Sequence, residues 1–216
     1  MNFMMFAKNV LLGSLSFATV WMVGNWSGAI AQVPYSSRYL SNQEINSLEP
    51  EFERATKFMN AFSGEALRTY STQINRIVNA WQKVDPSMPN FAPFLGTWTY
   101  MDDVSLHIYP SQRKGRVCVV EAVLGYPPAY NFGTVQGGRL VSDGELGKVV
   151  ITRKKSNRTK NSQEGVFLAK YSFSNGKRSV LPLHFPRHLG LNDFRGIGKL
   201  DKGRFTQMGC TTSLSP

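Results

Sequence analysis

The chain has 216 residues, 42% hydrophobic and 18% charged, with 25 lysines and arginines against 14 acids for a formal charge of +11. This balance excludes a disordered, collagenous or coiled-coil chain, and two cysteines are too few for a dense disulfide scaffold. At this length one domain, with or without an appendage, is expected, burying about 70% of its unfolded surface.

Residues 1–31 read as a secretory signal. Lys8 is the only charge, Val10–Val23 form the apolar run, and Ala29-Ile30-Ala31 supplies the small-x-small site, with Gln32 as the mature start. Gly24, Asn25, Ser27 and Gly28 end the run short of the about 20 apolar residues that a spanning helix needs. An exported chain, secreted or periplasmic and cleaved near Ala31, is therefore expected. Export also bears on Cys118 and Cys210, each in a strand-like segment. In an oxidising compartment an even pair is expected to be bridged rather than free or metal-bound, since neither has a histidine at ligand spacing.

Residues 32–90 read as a helical segment packed on a β domain. Ser41 and Glu44 form a capping box, and Ile45, Leu48, Phe52, Ala55, Met59 and Phe62 recur at helical spacing. Pro50 predicts a short first helix and a restart with the proline in its first turn. Leu67, Tyr70, Ile74, Ile77 and Trp81 form a second stripe, which the prolines of Asp85–Asn90 end. The aromatics Phe52, Phe58, Phe62 and Tyr70 are read as packing surface. Five acids and five bases between Ser41 and Lys83 leave this half neutral.

From Phe91 to Pro216 short apolar stretches alternate with turns. Val104–Tyr109, Arg116–Leu124, Val149–Thr152, Val166–Phe173, Ser179–His184, Phe194–Leu200 and Arg204–Cys210 read as strands. Gln136-Gly137-Gly138, Ser142-Asp143-Gly144, Asn175-Gly176 and Lys202-Gly203 read as turns. No helical period intervenes to carry crossovers, so the expected fold is α+β and mainly β: a helical segment followed by an antiparallel β-barrel at 91–216, with a β-sandwich as the alternative.

The opening Phe94-Leu95-Gly96-Thr97-Trp98 resembles the entry strand of the calycins, the lipocalins and fatty-acid-binding barrels. The resemblance implies that Trp98 plugs the closed end under a late arginine, Arg204 first and Arg195 second, stacked on its ring. It further implies a non-enzymatic binding protein whose interior holds a small apolar or amphipathic ligand. The lining expected is Trp98, Leu106, Ile108, Glu121, Phe167 and Tyr171, with Ala169 beside them. The chain departs from the family in placing its helices before the barrel and in having Thr99 after the tryptophan.

No residue pattern names a reaction. His107 alternates away from Leu106 and Ile108, towards solvent or a mouth, while His184 and His188 flank Pro186 and share no helix face. Asp102 and Asp103 are neighbours that point apart in a strand. Glu121, inside an apolar run, reads as a sheet-edge acid paired with an arginine. No serine sits in a nucleophile elbow, and neither cofactor nor metal is expected. Asn157-Arg158-Thr159 is a glycosylation sequon, relevant only in a eukaryotic host.

Charge is the second functional lead. From Val84 onward 18 bases face 9 acids, and Arg153, Lys154, Lys155, Arg158 and Lys160 crowd one stretch. These read as a basic hairpin tip for an anionic lipid, an acidic polysaccharide or an acidic protein. Nucleic acid is disfavoured by export and by the lack of interleaved aromatics.

Overall fold

The computed structural model describes residues 36–56, 64–100, 104–155, 164–171, 178–183, 186–187 and 202–216. Outside these residues lie the signal segment, Asp102-Asp103, the sequon with Arg158 and Lys160, Asn175-Gly176, His184, His188, Arg195 and the expected strand Phe194–Leu200.

Helix α1 (Asn42–Ser47) starts as its sequence dictates. Ser41 Oγ accepts from the Glu44 amide, and the Glu44 carboxylate accepts from the Ser41 amide at 2.8 Å. Arg38 grips the same carboxylate with two nitrogens, at 2.7 and 2.9 Å, and holds its pKa down to about 2. α2 (Glu49–Thr56) restarts at once with Pro50 in its first turn, where a missing N–H costs no helical bond. α3 (Gly64–Trp81) carries the second stripe, and a short α4 (Met88–Phe91) comes after it. The prolines of Asp85–Asn90 were expected to exclude helix. Instead Pro89 occupies an initiating position, so one turn forms.

The strands are β1 (Gly96–Tyr100), β2 (Val104–Pro110), β3 (Val117–Val123), β4 (Ala129–Gln136), β5 (Arg139–Gly144), β6 (Val149–Lys155), β7 (Glu164–Tyr171), β8 (Arg178–Leu183) and β9 (Pro186–Arg187). They form one antiparallel sheet in the order β8-β7-β6-β5-β4-β3-β2-β1-β9, curled as a half-barrel. Ser142–Gly144, expected as a turn, belongs to β5. The chain reverses at Glu145–Lys148 instead, because Asn131 Oδ1 accepts from the Leu146 amide and its Nδ2 donates to Gly147 O, both at 2.9 Å. Ser36 bridges Gly147 beside this turn.

Period-two alternation gives the sheet two buried faces. On one, Trp98, Leu106, Glu121 and Ala129 lie in one cross-strand row. α3 and α4 cover this face with Ile74, Ile77, Trp81, Met88 and Phe91, in one cluster with Trp98, Leu106, Ile108, Val119, Leu140 and Ile151. Each fully buried aliphatic or aromatic side chain there contributes about 1.5–3 kcal/mol. Tyr70 caps the layer by donating its hydroxyl to Leu95 O.

The opposite face has two covers. Leu40, Ile45, Leu48 and Phe52 of the α1–α2 segment pack on Val150. Phe205 of α5 (Lys202–Gln207) packs with Tyr109, Cys118, Val120, Tyr130 and Cys210. Residues 204–210 thus form a helix and turn, not the expected strand. Phe205 and Met208 have helical spacing, and no second large apolar residue alternates with them. Cys118 and Cys210 form a disulfide with Cα atoms 5.7 Å apart, fastening α5 and the tail to β3 across 92 residues.

Candidate anion-binding end

In an antiparallel sheet alternate reversals share an end. The registers place the β2–β3, β4–β5 and β6–β7 connections at one end and the β3–β4, β5–β6 and β7–β8 connections at the other. The first end collects bases. The β2–β3 turn brings Arg113, Lys114 and Arg116, all exposed and, among the described residues, in no ion pair. The Arg113 guanidinium sits 4.3 Å above the Phe132 ring. Arg139 opens β5 and donates to Asn42 Oδ1 at 2.5 Å. Arg153, Lys154 and Lys155 end β6, with Arg153 exposed and the acid Glu164 opening β7 opposite Lys155 in register. Arg187 of β9 pairs with Thr97 near the start of β1, so it too lies towards this end.

The other end is mixed. Lys148 is bound to Asp143 at 2.8 Å, Arg204 pairs with Glu145, and Lys170 and Arg178 lie nearby in register. Among the described residues, charge is therefore polarised along the strands.

One buried acid fixes the basic β2–β3 turn. Asp85 Oδ1 accepts from the Ser87 amide at 3.0 Å and from Ser87 Oγ at 2.6 Å, while Oδ2 accepts from the Gly115 amide at 2.8 Å. Gly115 has φ +71, a conformation a side chain would disfavour, so the carboxylate meets a turn that glycine permits. Beside it a cleft of about 200 Å³ is lined by Trp81, Val84, Asp85, Ser111, Gln112, Lys114 and Pro216. The tail is held there by Trp81 Nε1 donating to Ser213 O at 3.3 Å.

The other sequence candidates are placed differently. His107 does not meet solvent. It is fully buried, with its ring nitrogens 2.6 Å from Ser105 Oγ and 3.0 Å from Thr97 Oγ1, stacked on Tyr109. Burial drives its pKa down to about 3, so the imidazole is neutral and weakly basic. Glu121 is not at a sheet edge: β3 lies between β2 and β4, and the residue is buried in the Trp98 row and engaged rather than free. Leu106 and Ile108 are wholly buried against α3–α4. Register sets Leu168 opposite Ile151, and Phe167 and Ala169 opposite Thr152 and Val150, so Phe167 and Tyr171 fall in the alternate rows.

Nor does Arg204 stack on Trp98. Trp98 Nε1 donates to Phe94 O at 2.8 Å, whereas the Arg204 guanidinium lies 4.9 Å from the centroid of Tyr130 on the opposite face. The helical course of α5 puts it there. No group of three or more metal-ligating side chains occurs among the described residues, and no helix among them is long and apolar enough to cross a membrane. Comparison with protein-family models, curated proteins and solved structures finds no match.

Sequence reasoning finds the Arg153–Lys160 stretch but misses Arg113, Lys114, Arg116, Arg139 and Arg187. The signal is the parity of the hairpins, which needs the strands β4 and β5 that the turn chemistry of Ser142–Gly144 obscures.

Proposed function

We propose that this chain is an exported, non-catalytic binding protein that attaches to anionic surfaces through the basic end of its sheet. The convergence of bases from three separate connections on one end carries the reading. A single basic loop is an ordinary solvated feature; cations on several adjacent tips produce a field that adds at one surface. The disulfide and the signal-like residues 1–31 support export.

The sheet supports a barrel closed on itself. β8 pairs with β7 and β9 pairs with β1, and only His184 and Phe185 separate the two strands in sequence. In such a barrel the Trp98 face would be the interior, and α3–α4 already occupy it. That packing favours an exterior site over a small ligand held among Leu106, Ile108 and Trp98.

The test is retention on a sulfated polysaccharide resin and on anionic vesicles across a salt series. Replacing Arg113, Lys114 and Arg116 together with glutamine is expected to lower the eluting salt and flatten the salt dependence. The charge-matched change at the other end, Lys148, Lys170 and Arg178 to glutamine, is expected to do neither. Equal losses from both triples would reject a site at one end in favour of net charge alone.

A further inference from the structure

Resting on the reading of the basic end, we infer that its partner is an anionic lipid bilayer, entered by Val84 and Leu214. Five large apolar side chains remain exposed among the described residues. Leu124 and Tyr126 belong to the β3–β4 connection at the other end and Tyr39 lies beside Lys148, which leaves Val84, 41% exposed, and Leu214, 43% exposed. Both belong to the basic end. Val84 lines the same cleft as Lys114, and the tail bearing Leu214 is held to Trp81 through Ser213. The turn that presents Lys114 is in turn fixed by Asp85. Apolar side chains beside a fixed cation match the depth profile of a bilayer interface: anionic headgroups outside, acyl boundary a few ångströms below. A polysaccharide offers the charge without the apolar layer, so it gives Val84 and Leu214 no counterpart.

The strand ends suit a surface partner as well. The C-terminal ends of β2, β4 and β6 lie at the same end of the sheet, so Arg113, Lys114, Arg116 and the end of β6 can meet a surface together. Each base brought to an anionic bilayer raises partitioning about fivefold, and burying the two exposed side chains adds about tenfold.

The experiment measures partitioning of the full chain onto vesicles of phosphatidylcholine alone and of phosphatidylcholine with phosphatidylglycerol. Residues 1–31 are the same in the parent and in every variant, so their contribution cancels in the parent-to-variant ratio on each kind of vesicle. The expected result is binding that requires phosphatidylglycerol and weakens about tenfold in the V84S/L214S double variant, while that variant keeps its retention on sulfated polysaccharide. Both positions are exposed, so the variant is expected to fold, and its thermal unfolding is checked beside the parent. Retention on polysaccharide with no anionic-vesicle binding, or with vesicle binding indifferent to V84S/L214S, overturns the bilayer inference and leaves the basic end standing. A parent chain that binds neither sulfated polysaccharide nor anionic vesicles overturns the basic end itself.

Discussion

Lowering the pH from about 8 to about 5 is expected to destabilise the fold through His107. The folded pKa is about 3, because burial removes water from the charged form; an unfolded histidine titrates near 6.5. The unfolded chain therefore binds a proton in a window where the folded chain refuses it. The stability is fully present above about pH 6.5 and declines by about 1.4 kcal/mol per pH unit as the pH falls towards 3. Near pH 5 the loss is about 2 kcal/mol, a sizeable share of the roughly 5–15 kcal/mol of a typical domain. The hydroxyls of Ser105 and Thr97 could accept from an imidazolium, so desolvation rather than a missing acceptor sets the cost. Glu44 acts in a different window. Its carboxylate, held at about 2 against an ordinary 4.5, loses its contribution only below that ordinary value. Urea unfolding without reductant, run across this range on the parent and on His107→Gln, measures the effect. The difference between them should grow as the pH falls. A flat difference, or a His107 ring that titrates near 6.5 by NMR, would refute the reasoning.

Other positions give separate tests. Replacing Cys118 and Cys210 together with alanine should cost about 4–5 kcal/mol in urea unfolding, the loop-entropy value for a bridge spanning 92 residues; a loss below about 1 kcal/mol would mean that α5 is held without it. Gly147→Ala should cost more than about 1 kcal/mol, because φ is +72 and the new Cβ would lie 2.0 Å from Ser36 O. Hydrogen exchange at the Ser36 and Lys148 amides should accelerate in that variant. Asp85→Asn puts an amide donor against the Ser87 and Gly115 donors and should cost about 1–3 kcal/mol, read by thermal unfolding.

What could be read in the sequence was local. The capping box at Ser41 and Glu44, the break at Pro50 and the stripe from Tyr70 to Trp81 are short-range instructions, and the structure obeys them. The cysteine pair needed only a compartment to interpret it. Sequence reading failed where a distant contact overrode a local preference. Ser142-Asp143-Gly144 has turn chemistry, yet Asn131 on the neighbouring strand holds the reversal a few residues later. His107 alternates away from one apolar row, which predicts solvent only if the sheet has one covered face. Here the opposite face is covered by α5 and by the α1–α2 segment, so the same alternation leads into a second core.

The basic end is the clearest case of this difference. Arg113, Arg139 and Arg153 stand far apart in the chain, separated by the strands β3, β4 and β5. Nothing in composition joins them, and a run-based reading sees only Arg153–Lys160. Antiparallel pairing joins them because each strand reverses the chain: bases placed two strands apart return to the same end, while those one strand apart are sent to the other. Lys148 lies one strand before Arg153, and it emerges at the far end against Asp143. A charge that looked diffuse over the β region is thus divided by topology, among the described residues, into a strongly basic end and a mixed one. It is the strongly basic end, with Val84 and Leu214 exposed beside it, on which the proposed attachment rests.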